Sequence, residues 1–413
     1  MNDKIKVCHM TSGHLSDDVR IFHKQCVSLA KAGFETYLVA PGESSRRKGV
    51  KIVGIGRQTP SRSKKNIKCK FFLFRHIYRF MEFVLFMGRR YVFARLIYAK
   101  SLKINADVYH FHDPDLLPFG LKLKRRGRVV IYDSHEHHSR NLWERVELDK
   151  ARKTPLPLQI TRKIIARIHD SVENRACKKL DAIICASPTM IDYFQSRGAN
   201  TQTITNYPII YDCDSLPTRN RERKLCFAGG VRPDWLHEKV VSLLKECNAT
   251  YELAGPHDEQ YLSVLESLDG WQRVAFKGRI RFDEVAPMIR GNAVGICLMV
   301  HRANAFGNMG TLGVNKLFEY MQNGIPVICS DHVIWKELVD AENCGISVDP
   351  YKPEAIKEAI LYLLNNPDEA DRMGENGHTA VLREYNWSTQ ERKLLDFYDD
   401  IIVLHNEIGG YNV

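Results

Sequence analysis

The sequence predicts an α/β protein built from two doubly wound domains, each a mostly parallel sheet with helices on both faces. Three observations predict it. Short β-branched runs alternate with longer helix-like segments along the whole chain. The runs are apolar at consecutive positions, as in KIKVCHM and DAIICAS, which suits strands buried on both sides. The alternation pauses and restarts once, and 413 residues exceed what one hydrophobic core comfortably holds.

Taken in order, apparent strands cover 4–10, 36–40, 50–55, 107–112, 128–134, 181–187 and 202–207. A second series covers 224–230, 250–256, 273–278, 293–300 and 325–331. Between the series, PIIYDCDSLPTRNRER (208–223) is polar and contains Pro208 and Pro217, so it reads as the linker. The expected domains are therefore 1–207 and 208–390, with 391–413 a C-terminal helix packing back on the first. The polar stretch 42–49 reads as a loop. Each series opens with a strand that runs into glycine, at Gly13 and at Gly229-Gly230. In such Rossmann-like domains, ligands sit beyond the carboxyl ends of the strands.

Composition narrows the function. With 44% hydrophobic and 26% charged residues the chain is an ordinary globular protein. It has no run of the ~20 apolar residues that span a bilayer. The first residues, MNDKIKVCHMTSG, lack the apolar core of a secretory signal, so a cytoplasmic location is expected. Eleven cysteines occur without a CxxC pair or zinc-ligand spacing, and several sit inside apolar runs. Reduced, structural cysteines are the reading. The formal charge of +11 is concentrated: residues 61–100 hold eleven Lys/Arg against one acid, Glu82. A partner for the charge belongs there.

The most informative stretch is FEYMQNGIPVICSD (318–331), preceded by Gly307, Gly310 and Gly313. Glycines let backbone N–H groups approach a diphosphate, and the following helix start adds about half a positive charge. Glu319, a turn or so along, suits ribose hydroxyls; a solvated glutamate after a glycine loop is the plain alternative. In HFHDPD, His110 and His112 share one face of a strand end and Asp113 follows at the loop. A structural histidine is the plain alternative there. Asp133, His135 and Glu136 end the next strand and are expected to face the same ligand crevice. HEHH has the composition of a metal site, but neighbours on a strand alternate sides, so no metal is expected. Gly13 allows close approach to a ligand, and Asp17 and Asp18 either face it or cap the helix that starts there; Arg20 follows.

The run NKLFEYMQNGIPVICSD resembles the signature of retaining glycosyltransferases of the GT-B fold, the family that includes sucrose synthases and phosphatidylinositol mannosyltransferases. TSGHLSDDVRIFHKQCVSLAKAGFETYLVAP, DVYHFHDPDLLPFG, YDSHE, LCFAGGVRP, YELAGP and FKGRIRFDEVAPMI agree in order, so the similarity covers almost the whole chain. The resemblance implies two Rossmann-like domains facing a central cleft, a nucleotide diphosphate sugar as donor, UDP- or GDP-linked, and no cofactor or metal. It implies that Glu319 holds the donor ribose, and that the first glutamate of the family pair is replaced here by Thr311. Gly230 and Arg232 of GGVRP, with Lys316 as a second cation, take the phosphates; the family's usual lysine is missing from that loop. Gly310, Leu312 and Gly313 belong to the donor loop, and Arg279 and Ile280 match the base-contacting position. His112, with Asp113, is implied to meet the donor sugar, and Asp18, Arg20, His135 and Glu136 lie toward the acceptor.

The basic segment interleaves its cations with ten aromatics, from Phe71 to Tyr98. That composition fits an anionic membrane surface, with an internally packed helix pair as the plain alternative. No RNA-binding motif accompanies it, so nucleic acid is not an expected partner. The functional expectation is transfer of a hexose or N-acetylhexosamine to a growing, lipid-linked glycan in bacterial polysaccharide synthesis, at the inner face of the membrane. A nucleotide-sugar 2-epimerase, or a non-catalytic partner subunit that keeps the donor site, remain alternatives.

Overall fold

Consecutive β-branched and aromatic residues place side chains on both faces of a strand, and only a sheet covered by helices on both sides buries them. The computed structural model describes residues 4–57, 59–60, 72–151, 154, 156–210, 222–302 and 306–409. Arg62, Lys64, Lys65, Lys68, Lys70 and Phe71 of the basic segment, and most of the linker, lie outside the described residues. By its contacts the chain divides into two units, Met1–Thr205 with Gln390–Val413, and Asn206–Thr389.

In the first unit the strands are β1 (Lys6–Met10), β2 (Glu35–Ala40), β3 (Ser45–Arg47), β4 (Val50–Gly54), β5 (Val108–Phe111), β6 (Val129–Ser134), β7 (Ala182–Cys185) and β8 (Thr201–Thr203). They form one sheet in the order β3-β4-β2-β1-β5-β6-β7-β8. All neighbours are parallel except β3 with β4. β5, β6 and β7 are buried at every position, which is what their uninterrupted apolar runs require. The stretch 42–49 is not all loop: β3 lies in it, exposed throughout. Its Arg46 and Arg47 make an edge that discourages further pairing, and the same polarity hides the strand from an apolar-run search.

The second unit contains β9 (Lys224–Ala228), β10 (Thr250–Ala254), β11 (Val274–Gly278), β12 (Val294–Cys297), β13 (Val327–Ser330) and β14 (Gly345–Val348). Their order is β11-β10-β9-β12-β13-β14, with every pair parallel. Alternation along β9 divides its side chains between two cores: Leu225 and Phe227 pack in one cluster, Cys226 and Ala228 in the other. β14 has no apolar run, being GISV at the sheet edge. Residues 206–210 pack on this unit, where Asn206 Nδ2 donates to Asn315 Oδ1 at 2.8 Å and Gln322 Nε2 to the Ile209 carbonyl at 2.7 Å.

Each sheet has a switch point, where the strand order reverses and loops leaving the carboxyl ends diverge to open a crevice. In the first unit it falls between β1 and β5, and in the second between β9 and β12. Nine cysteines among the described residues are free and buried. No described helix is long and apolar enough to cross a membrane.

Candidate active site

At the β1/β5 switch point, pairing of His9 with His110 and of Met10 with Phe111 sets the two strand ends level. Asp113, just beyond β5, reaches across to the loop after β1. Its Oδ2 accepts from Thr11 Oγ1 at 2.7 Å, the Ser12 amide at 2.7 Å and the Gly13 amide at 3.1 Å. A Cβ on Gly13 would come 2.4 Å from Asp113 Oδ1, so glycine there allows this grip. Burial alone would raise the Asp113 carboxyl, but the His14 charge and the Thr11 and Ser12 hydrogen bonds hold it below the usual range. Asp113 therefore shapes the loop.

Asp18 caps the helix that follows, accepting from the Ile21 amide at 3.0 Å, and meets His14 Nδ1 at 2.9 Å. That helix, Val19–Cys26, is a π-type segment with a wide first turn, His23 N to Asp18 O, a form frequent at functional sites. It carries Arg20 inward, where the guanidinium forks onto Asp133 at the end of β6. Gln25 Nε2 adds a third bond to the same carboxylate at 2.7 Å. Burial would raise Asp133, yet Arg20, His135 and His112 hold it well below the ordinary carboxylate range.

His112 sits over this pair, fully enclosed. Its Nδ1 lies 3.2 Å from Asp133 Oδ2 and 3.3 Å from His135 Nε2, and its Nε2 lies 2.9 Å from His9 Nδ1. Burial pushes its pKa down to about 3 against the pull of Asp133, so the ring is neutral at physiological pH. His110 continues the network to Tyr398, whose hydroxyl is 2.7 Å from Nδ1. His14 and His135, with ring centroids 5.1 Å apart, are the partly exposed imidazoles at this strand end. Glu136 is exposed.

Two groups here have the composition and proximity to hold a metal ion: His9, His110 and His112, and His112, Asp133 and His135, each with donor atoms within 4.8 Å. They assemble across β1, β5 and β6, so alternation along one strand did not bear on them. In the second group the Asp133 carboxylate is already held by Arg20 and Gln25, whereas in the first His9 and His112 face each other and His110 Nε2 is buried with no hydrogen-bond partner among the described residues.

At the β9/β12 switch point the second unit brings together Gly229, Gly230, the 307–313 loop and the helix Asn315–Gln322. A Cβ on Gly229 would lie 3.0 Å from Lys316 Cε, and one on Gly230 would lie 3.2 Å from Arg232 Nε. Lys316 Nζ bonds Glu319 Oε2 at 2.6 Å, one turn along, with both side chains about four-fifths buried. Arg232 is exposed. Gly310, at φ +81°, turns the loop back against His332. Thr311 is tied down at both ends: Trp335 Nε1 donates to its carbonyl at 2.8 Å, and the Gly313 amide donates to its hydroxyl at 3.1 Å. Leu312 and Ile280 pack against the core, while Arg279 is exposed beyond Gly278. A cavity of about 650 Å³ lies at the opposite strand ends, lined by Lys224, Thr250 and Asp283, and touches none of these residues.

Sequence reading missed His9, Gln25, His14 and Tyr398. His9 occupies an apolar run and Tyr398 a helix in the last segment, so neither carries a local signal.

Residues 19–207 match the family described as Glycosyltransferase Family 4, and residues 212–380 match Glycosyl transferases group 1. Among curated proteins, a GDP-mannose-dependent alpha-(1-6)-phosphatidylinositol monomannoside mannosyltransferase of Mycobacterium tuberculosis is 27% identical over 143 residues, 35% of this chain. The match spans 37% of that relative's length. An uncharacterized glycosyltransferase of Methanocaldococcus jannaschii is 23% identical over 178 residues, 42% of this chain and 47% of the relative. Among solved structures, sucrose-phosphate synthase from Thermosynechococcus elongatus superposes with a TM-score of 0.68 at 16% identity, over 97% of this chain and 100% of the other. WaaG, a glycosyltransferase involved in lipopolysaccharide biosynthesis, gives 0.62 at 16% identity, over 94% and 98%. Anabaena HepE in complex with UDP and glucose gives 0.60 at 12% identity, over 96% and 100%.

Two doubly wound units with glycine-bearing loops at their switch points are the architecture of the GT-B fold. This chain belongs to the GT-B glycosyltransferases, with a Family 4 first half and a group 1 second half.

Proposed function

We propose that the protein transfers a hexose or N-acetylhexosamine from a UDP- or GDP-linked donor to a growing, lipid-linked glycan, with retention of configuration and without a metal. The observation that carries this is the meeting of Gly229, Lys316 and Glu319 at the β9/β12 switch point. A glycine turn next to a largely buried ammonium and a helix start suits a diphosphate, and in this reading Glu319 takes the ribose beside it. The leaving diphosphate gains charge as the glycosidic bond breaks, and Lys316 with Arg232 offsets it. Metal independence is supported by Arg20, which already satisfies the Asp133 carboxylate. The GDP-mannose named for the mycobacterial relative and the UDP and glucose bound by the Anabaena protein support a nucleotide-linked donor. The segment 61–100 is proposed to rest on an anionic membrane surface, where a lipid-linked acceptor is found.

A thermal-shift screen of UDP- and GDP-sugars tests the donor. A ligand at ~100 times its dissociation constant stabilises by about 2.7 kcal/mol, and Glu319→Ala is expected to abolish that shift. An unchanged shift in Glu319→Ala sinks the assignment. Donor conversion without acceptor identifies a 2-epimerase instead.

A further inference from the structure

The helix Leu156–Cys177 buries Leu158 and Ala166 and leaves the opposite face bare. Leu156, Ile160, Ile164 and Ile168 recur every fourth residue on that face and are 49% to 66% exposed. Globular surfaces seldom leave four large aliphatic side chains in one uncovered row. Lys163 and Arg167 flank them, both exposed, and no acidic residue occurs anywhere from 156 to 168.

A second helix of the same unit repeats the pattern. Phe72–Leu102 buries Phe93, Ala94 and Ile97, and exposes Met81, Val84, Leu85 and Val92 beside Arg89 and Arg95. Glu82 is the one acidic residue from 81 to 100. The helices are neighbours, with the Arg162 guanidinium 5.8 Å from the Phe83 ring centre.

We infer that the Leu156–Ile168 face is a second membrane-contact element, which seats its aliphatic row among the acyl chains of an anionic bilayer while Lys163 and Arg167 meet the headgroups. The inference rests on, and extends, the reading of segment 61–100 as a membrane contact. Charge decides the occupant. A second copy of this chain would bring Lys163 and Arg167 against the same cations, with no carboxylate between 156 and 168 and the nearest on this helix at Asp170, so like charges oppose self-association through the row. A row of leucine and isoleucine offers nothing for nucleic-acid bases to stack on. Aliphatic side chains with a cationic rim and no acid from 156 to 168 match an interface of apolar tails and negative headgroups.

The test is sedimentation of the full chain with vesicles of phosphatidylcholine mixed equally with phosphatidylglycerol, and with phosphatidylcholine alone. All substitutions lie on exposed residues, and thermal unfolding confirms that each variant folds. Ile160→Gln with Ile164→Gln is expected to lower partitioning into the anionic vesicles roughly tenfold. Lys163→Gln with Arg167→Gln is expected to lower it by roughly fivefold per cation and to leave binding to neutral vesicles unchanged. Leu85→Gln with Val92→Gln tests the first helix separately. If that pair weakens binding and the 160/164 pair does not, the inference falls while the reading of 61–100 stands. If neither pair changes partitioning, both fall. If the chain is a dimer in lipid-free buffer and the 160/164 pair makes it monomeric, the row belongs to a second copy and the inference is overturned.

Discussion

Arg20 and Asp133 meet in a buried fork, Nε to Oδ2 at 2.9 Å and Nη2 to Oδ1 at 2.7 Å, with side chains 4% and 0% exposed. The pair joins the helix after β1 to the end of β6 and supports His112 from beneath. Removing one member strands the other charge in the interior. Arg20→Met is therefore expected to cost about 3–5 kcal/mol in urea unfolding, and adding Asp133→Asn to recover much of it. The pH dependence has a definite sign. The folded pKa of Asp133 is depressed, so its contribution is present above about pH 3.9, the unfolded value, and lost as pH falls through the folded one. The deficit of Arg20→Met should be largest near neutrality and shrink in acid; a deficit that does not vary with pH contradicts this account.

His14 titrates in the other direction. Burial would lower its pKa, but the Asp18 hydrogen bond and the charges of Asp113 and Asp18 raise it above the ordinary value. A raised histidine pKa adds stability that is fully present below about pH 6.5 and lost as pH rises through the folded value. Asp18→Asn keeps an oxygen for the Ile21 amide and removes the charge. In that variant the His14 resonances should titrate at lower pH by NMR while the helix start is retained.

Gly310 and Gly307 separate backbone strain from collision. Both have positive φ, +81° and +67°, but a Cβ on Gly310 would lie 2.6 Å from His332 Cβ, whereas one on Gly307 would have nothing within 4 Å. Gly307→Ala should cost about 1–2 kcal/mol from φ alone. Gly310→Ala should cost more in thermal unfolding and also weaken donor binding, since the loop must shift. Equal costs for the two would show that His332 yields.

Lys316 and the metal question are read from kinetics. If Lys316 stabilises the leaving diphosphate, Lys316→Met should lower kcat by about 10²- to 10³-fold, the usual consequence of losing one such group. Turnover should survive prolonged treatment with EDTA. Activity lost to the chelator and restored by a divalent ion would move attention to the histidine groups around His112.

How much was legible in advance differs between the scaffold and the site. The α/β class and the two-part division are written locally, because a doubly covered parallel strand must be apolar at consecutive positions and β5, β6, β7, β12 and β13 are. The glycine loop before Glu319 is local as well. β3 escaped because it is short and wholly polar, and β14 because GISV carries no apolar run.

The histidine network was not legible, since its members stand at 9, 110, 112, 133, 135 and 398. Only the strand order β1-β5-β6 makes neighbours of His9, His112 and Asp133, and only the turn of the Val19–Cys26 helix brings Arg20 to that carboxylate. Periodicity records which face of an element is buried. It does not record which distant element lies against that face, and parallel sheets are assembled entirely from such distant pairs. The residue types were therefore determined by the sequence alone, whereas the partners of Arg20, Asp113 and His112 were decided by tertiary packing.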